Sequence, residues 1–551
     1  MLSYYFLELL TYCFADSIVF FTRFFAYQYR KKELHITLRM KIYILLIFFF
    51  FTQSIFAQKE ATNWYFGERV GLSFSGGLSS PLGGGKLFSI EGCAVVSDPI
   101  TGTLLFYTDG TKIWDKNHQV INGANSLLKG GISSTQNVLI VPHPGNKQQY
   151  FVFTVPDLTA DGGSSSTGLY YSLLSVANGN VTVITSNILL TYGVSEKITG
   201  TLDCTGKGFW VVTHDKIKGK FYSYHVSSSG VDPVPVTYEY NGLITSYVAG
   251  CMKISPDRTK IALVSNVKDG YVVLFDFNAK TGKISNYKFL VDARALSECY
   301  GLSFSPDNSK LYVSAINNSI APKYSVYQID ISLPTLTAIQ NSVIALNSND
   351  GYIGGMQIAP DGKIYIAKEG VDFLDVIEKP NLKGDKCNFK NNGLQLNNLC
   401  RRGLPNFMDY IFNTTGPTVG PLAECTPPLA IIKPDSGCVN KTFMFADLST
   451  NKPNQREWSF AGGTPATSSD SSVLVNFSKA GTFRVRLIVR NDSGSDTTYK
   501  DVKVLPMPVA DAGPDKTVCV GESTQIGIAP EAGNTYVWEP FYGLDDVTKA
   551  N

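Results

Sequence analysis

The sequence predicts an all-β chain: a seven-bladed β-propeller, then an immunoglobulin-like β-sandwich, then part of a further sandwich module. Three observations carry the prediction. One hairpin pattern recurs six times between Glu91 and Lys368, roughly every 50 residues. Strand-like segments are left over at both ends of that array. After Thr415 the spacing tightens to six or seven short strands in about 80 residues. A propeller blade cannot bury both faces until its neighbours stack on it, so a repeat of this period reads as a ring.

The first segment reads as targeting rather than fold. From Met40 one Lys precedes the apolar run IYILLIFFFF, followed by TQSIFA ending at Ala57. This charged, apolar and small-residue order is that of a signal peptide over residues 40–57, with the mature chain starting at Gln58. The apolar run falls short of the ~20 residues a membrane span needs. Residues 1–39 are interrupted by Glu8, Asp16, Arg23 and the RKKE stretch, and read as an upstream extension ahead of the true initiator.

The propeller is expected over residues 60–412. Its six hairpins start at Cys93 (CAVVSDPITGTLLFYTDG), Val138 (VLIVPHPGNKQQYFVFTV), Thr201 (TLDCTGKGFWVVTHD), Met252 (MKISPDRTKIALVSN), Leu302 (LSFSPDNSKLYVSA) and Met356 (MQIAPDGKIYIAKEG). In each, two alternating apolar arms flank an Asp/Pro/Gly turn. NWYFG and VGLSF at the front lack an inner strand, and RGLPNFMDYIF at the back resembles an inner strand without a hairpin partner. Joining them predicts a seventh blade composed from both termini, which leaves no open sheet edge.

A Pro/Gly/Thr linker over residues 413–428 leads into the sandwich at residues 429–506, with strands AIIKP, TFMFADLS, REWSF, SVLVNFS, GTFRVRLIVRND and TTYKDVKVL. In RVRLIVR the arginines alternate with Val485, Leu487 and Val489, so one face is core and the other wet. Residues 507–551 hold too few strands to close a sandwich and read as a partial adhesin-type module, with the product expected to continue past Asn551.

A net charge of +2 and the absence of basic runs outside Arg30–Lys32 argue against nucleic acid as a partner. Export permits disulfides. Cys387 and Cys400 lie 13 residues apart, as do Cys425 and Cys438, and both pairs are candidates for local bridges. Cys93, Cys251 and Cys299 read as small buried hydrophobes. No CxxC pair or His/Cys constellation supports zinc.

Propeller ligands bind where the channel opens, among the residues that lead into the inner strands. The polar residues there are Glu91, Gln136, Glu196 and Glu298, with Arg401 and Arg402 ahead of the last inner strand. Such a ring could hold a sugar, a peptide terminus or a cation, against the plainer reading of solvated or ion-paired loop residues. No catalytic residue is assigned. The propeller has only five arginines, and His118, His143, His214 and His225 are scattered with no nucleophile motif nearby. Asp109, Asp257, Asp307 and Asp361 sit in turns, where capping of local N–H groups is favoured over calcium; no cofactor is expected. Tyr65, Phe66, Trp114, Tyr150, Phe151, Phe153, Trp210 and Phe221 read mostly as core.

REWSFAGG from Arg456 and VNFSKAGTFRVRLIVRNDSGSDTT from Val475 resemble the PKD-type domain, with Trp458, Phe460, Gly463, Gly481, Phe483, Val485, Leu487, Val489, Asn491 and Gly494 in its pattern. Ser459 and Gly462 stand where that family usually carries Asp, which speaks against a cation in that turn. NWYFGERVGLSF, EGCAVVSD, LLFYTDG, IWDKNH, SSTQNVLIVPHPG, FSPDNSKLYVS and GLPNF resemble the exported PKD-linked propellers of gliding Gram-negative bacteria. That resemblance implies a secreted or cell-surface protein, in a family commonly sorted by type IX secretion. The expected function is binding or adhesion, with an extracellular glycan or protein ligand and no membrane contact beyond export or surface attachment. The alternatives are an extracellular hydrolase or lyase at the channel mouth and a structural surface or motility component.

Overall fold

The computed structural model describes residues 59–551 apart from 122–127, 158–167, 216–218, 241–248, 267–269, 292–295, 318–322, 347–350, 416–420 and 434–435. The expected upstream extension and signal peptide lie outside the described residues. Among the described residues, no helix is long and apolar enough to cross a membrane.

Seven antiparallel sheets follow one another between Asn63 and Gln395 among the described residues. The first two have three strands, the fourth has five, and the others have four. Their leading strands are Asn63–Phe66, Ala94–Ser97, Val138–Pro142, Val194–Leu202, Met252–Ile254, Leu302–Phe304 and Ile353–Ile358, and each packs beside the next. Alternating residues bury apolar side chains between neighbouring sheets. Phe106 and Val138 join the second sheet to the third, Phe153 and Val211 the third to the fourth, Val212 and Phe275 the fourth to the fifth, and Leu274 and Leu311 the fifth to the sixth. The series closes on itself: Trp64 and Phe74 of the first sheet pack on Tyr365 of the seventh, with ring centroids 5.9 and 5.7 Å apart. All eight aromatics expected in the core are buried.

The repeated turn explains the hairpin motif. In SPDR and SPDN the aspartate accepts from the backbone N–H two residues on, Thr259 to Asp257 and Ser309 to Asp307, both at 3.1 Å. The residue after each aspartate is left-handed, at φ 66° for Arg258 and 64° for Asn308. The third copy, APDG, places Gly362 there at φ 76°. Asp109 and Asp361 cap nearby N–H groups in the same way, so each of these aspartates gives Oδ1 to its turn, and Asp361 Oδ2 accepts from the Tyr365 hydroxyl.

The ends of the ring meet differently from the expectation. The segment 402–407 lies in front of the first sheet, where Phe407 packs on Trp64, but it makes no ladder with Asn63–Phe66. Instead Pro405 forms a parallel bridge with Cys93, and Arg402 N–H and Asn406 N–H donate to the Ile90 and Cys93 carbonyls. Val70–Ser73 pairs with Asn63–Phe66 on one side and with Ser80–Pro81 on the other, so the first sheet is built without the C-terminal segment. Gly403 fixes this arrangement, because any side chain there would collide with the Glu91 carbonyl.

The chain from 402 to 413 fills the channel. Asn406 Nδ2 donates to the Val138 and Ile198 carbonyls at 3.2 and 3.1 Å. Asp409, fully buried, accepts from Gln357 at 2.8 Å and pairs with buried Lys253 at 3.4 Å. Among the described residues a cavity of about 20 Å³ lies on the axis beside Thr135, Tyr300 and Asn406, room for roughly one water.

The C-terminal domain is a two-sheet sandwich of four and five strands. Phe443, Phe445, Trp458, Phe460, Val475, Val485, Leu487 and Val489 form its core, while Arg484, Arg486 and Arg490 face outward onto Asp501 and Glu457. Residues 507–551, expected to be a partial module, form turns without a strand.

The cysteine expectation is corrected. Cys425 is bonded to Cys204, 221 residues away, whereas Cys387, Cys400 and Cys438 are free thiols. Spacing in sequence misled here because these cysteines belong to separate surroundings. Cys387 packs beside Tyr312, Cys400 lies near Cys93, and Cys438 is on a strand paired with Val504–Leu505 at the sandwich. Cys93, Cys251 and Cys299 are buried thiols, as expected.

Candidate functional site

The leading strands all run in one sense, so the residues that open them share one end of the channel. At the floor, Thr135 joins two carboxylates. Its N–H and hydroxyl donate to Glu196 Oε2 at 3.1 and 3.0 Å, and the hydroxyl lies 3.4 Å from Glu91 Oε2. That hydroxyl also accepts from Gly250 N–H at 3.2 Å. It has one proton to offer and two carboxylates to satisfy. Glu91 and Glu196 are 6% and 3% exposed. Burial, then the charge of Glu196, raises the Glu91 carboxyl to about 8, with Arg402 pulling it back. Such a carboxyl holds its proton at neutral pH. Tyr300, fully buried, lines the axial cavity beside Glu91. Lys197 donates to the Ala249 carbonyl at 2.8 Å, and burial lowers its ammonium to about 8.

Above this floor the groups are half-buried. Arg402 pairs with Glu369 at 2.7 Å, approaches Glu91 at 3.6 Å and stacks on the Tyr352 ring at 4.3 Å. Arg401 pairs with Glu68 and lies 3.9 Å from Glu369. Tyr352 accepts from Asn266 Nδ2 at 2.7 Å and packs against Tyr324 and Tyr300 at 4.8 and 5.7 Å.

The structure therefore gathers Glu91, Glu196, Arg401 and Arg402 at one end of the channel. Glu298 stands half-buried at the rim near Tyr324, whose hydroxyl pKa is raised by burial first and by Glu298 second. Gln136 has a different role: its amide donates to the Met252 carbonyl at 3.0 Å and accepts from Met252 N–H at 2.7 Å, tying the third sheet to the fifth across the axis. Sequence reasoning missed Thr135, Tyr300, Tyr352 and Glu369. Tyr300 and Tyr352 each lie one or two residues before a leading strand, the same place in the repeat as Gln136, and that regularity was the available signal. Glu369 follows the second strand of the seventh sheet and carried no signal.

The other end of the ring holds the sandwich. Thr414 N–H donates to the Pro306 carbonyl in the SPDN turn, and Asn308 bonds Asn413 and Thr415. Leu422 N–H donates to the Cys204 carbonyl beside the disulfide, and Lys280, in a turn at that same end, is 3.9 Å from Asp492. The two-sheet arrangement and the Trp458 core decide what this module is. Residues 421–505 match the PKD domain family.

No curated protein matches the chain. Solved structures with a similar architecture include the periplasmic gluconolactonase PpgL of Pseudomonas aeruginosa, at 12% identity and TM-score 0.32, over 72% of this chain and 92% of that one. Others are dihydro-heme d1 dehydrogenase NirN, at 13% identity and TM-score 0.34 over 64% of this chain and 77% of that one, and a DUF4623 family protein from Bacteroides eggerthii, at 11% identity and TM-score 0.28 over 58% of this chain and 70% of that one. The activities in these names belong to those proteins.

Proposed function

We propose that this chain is an extracellular binding protein whose recognition face is the channel mouth around Arg402 and whose PKD domain is the spacer that carries it. The observation that supports this most is the placing of opposite roles at opposite ends. The half-buried Arg, Glu and Tyr side chains lie where the leading strands begin, and the linker, the disulfide and the PKD domain lie where those strands end. A mouth turned away from its support is free to meet a glycan or a protein. The PKD match and a disulfide between ring and linker favour an oxidising, extracellular setting. Export through the leader, adhesion, and sorting by a type IX route belong to the same proposal.

The filled channel favours binding over turnover. A protonated carboxyl near a second carboxyl has the chemistry of an acid and a base, but Glu91 and Glu196 lie beneath the mouth beside a cavity that admits about one water. The test is a glycan and peptide array probed with the full chain, followed by hydroxyl-radical footprinting with the best ligand. Protection of Tyr324, Tyr352 and the 401–402 segment is expected. Protection confined to the PKD domain or the SPD-turn end would overturn the proposal.

A further inference from the structure

We infer that the mouth recognises a neutral glycan, bound flat against the surface formed by Tyr324, Tyr352, Arg402, Arg401, Glu369 and Asn266. This rests on the reading of the mouth as the binding face and names its ligand class. Four observations carry it.

The first is depth. Beneath the mouth, among the described residues, the cavity lined by Thr135, Tyr300 and Arg402 holds about 20 Å³, too little for a side chain or a phosphate, which favours a ligand that lies across the mouth. The second is charge. Arg402 is committed to Glu369 and Arg401 to Glu68, two guanidiniums against two carboxylates, and Glu298 adds one more carboxylate at the rim. An anionic ligand would have to displace a carboxylate from its arginine and then face Glu298. A cationic ligand would have to displace an arginine. An uncharged ligand disturbs neither pair.

The third is the hydrogen-bonding capacity that remains. Tyr352 accepts from Asn266 and so keeps its own proton to donate. Both carboxylates retain lone pairs beyond those their arginines use. Donors and acceptors thus alternate within one small surface, as a hydroxyl-bearing ring requires, since each hydroxyl both gives and takes. The fourth is the pair of half-buried rings, Tyr324 and Tyr352, 4.8 Å apart. They set apolar carbon beside those polar groups and suit the C–H face of a sugar. Arg402 on one side of Tyr352 and the Asn266 bond at its hydroxyl hold that ring in place before any ligand arrives, which lowers the ordering cost of binding.

The experiment titrates the full chain with neutral oligosaccharides from β-glucan, mannan and chitin, beside uronate oligosaccharides and acidic and basic peptides, by calorimetry. Binding of at least one neutral class is expected, weakened about tenfold or more by Tyr324→Ala and retained by Tyr324→Phe. Glu369→Gln should weaken the same ligand while circular dichroism and the melting midpoint show a folded ring. Absence of binding by every neutral class overturns the inference. If instead uronates or peptides bind and Tyr324→Ala removes that binding, the glycan class fails while the mouth remains the site. If a ligand binds and neither Tyr324→Ala nor Glu369→Gln changes its affinity, the mouth itself is excluded.

Discussion

The ring and the PKD domain are both built from antiparallel strands, yet they place charge in opposite positions. In the PKD domain the interior is apolar, from Phe445 to Val489, and the ion pairs of Arg484, Arg486 and Arg490 stand in solvent. In the ring the apolar layers lie between sheets, and the centre is polar, with Lys253, Gln357, Asp409, Asn406 and the Glu91–Thr135–Glu196 group on the axis. Two stacked sheets have one interior, which apolar side chains can fill. A ring has a second interior where the leading strands converge, and there the close approach of several backbones offers carbonyls and N–H groups that only polar side chains can satisfy.

The contrast is broken most forcefully at Asp409. Asp409→Ala leaves the Lys253 ammonium buried with its countercharge gone, and should destabilise the ring by about 3–5 kcal/mol, read as a lower denaturation midpoint of the ring transition alone. The double change Lys253→Met with Asp409→Leu should recover most of that loss. Equal destabilisation by single and double variants would mean that charge on the axis is not the issue.

Next in size is the link between the two regions. Cys204→Ser with Cys425→Ser removes a cross-link closing a loop of 221 residues, worth about 2–4 kcal/mol. Calorimetry should then resolve separate ring and PKD transitions that lie closer together in the intact protein. Unchanged melting would show that the Leu422 and Lys280 contacts suffice.

A smaller effect is expected at the floor of the mouth. The Glu91 carboxyl titrates near 4.5 in an unfolded chain and at about 8 in the fold. The folded state therefore holds the extra proton in that window, and the stability it brings is present at acid pH and lost as pH rises toward 8. Glu91→Gln should be more stable than the parent at pH 9, with the difference shrinking toward pH 5. Lys197 acts above this window, between about 8 and its ordinary 10.5, and His214, lowered to about 3 by burial, acts below 6.5; the difference between variant and parent isolates Glu91. A pH-independent difference would place the proton elsewhere.

The smallest effect belongs to the solvent face of the PKD domain. Arg484→Ala and Asp501→Ala, alone or together, should leave the melting midpoint unchanged, because an exposed ion pair gains little over hydration.

The contrast also marks what the sequence made legible. Alternation in RVRLIVR and the recurring SPDR, SPDN and APDG turns are local, and from them the sandwich and the repeated hairpins could be read. The polar axis is not local. Thr135 reaches Glu196 and Gly250, and Asn406 reaches Val138 and Ile198, so partners come together only once the ring has closed. For the same reason RGLPNF could be recognised as an inner segment while its pairing was misjudged: its repeat-like pattern is in the sequence, but its parallel bridge to Cys93 depends on what stands beside it. Glu91 and Glu196 could be found because they stand at the openings of leading strands, and Arg401 and Arg402 because they open the repeat-like RGLPNF segment. Cys204 and Cys425 could not, since nothing in either flank announces a partner 221 residues away.

That disulfide also determines how the molecule carries tension. The segment 402–413, which fills the channel and latches it at Asp409, lies within the span that Cys204 and Cys425 enclose. If a ligand is held at the mouth as proposed, a pull on the PKD domain enters the ring at the fourth sheet through a covalent bond. The channel segment stays slack while the load bypasses it. A force that would otherwise draw Asp409 off Lys253 and unzip the ring from its last residues is carried instead by the sheet ladders around Cys204, so grip at one end need not loosen closure at the other.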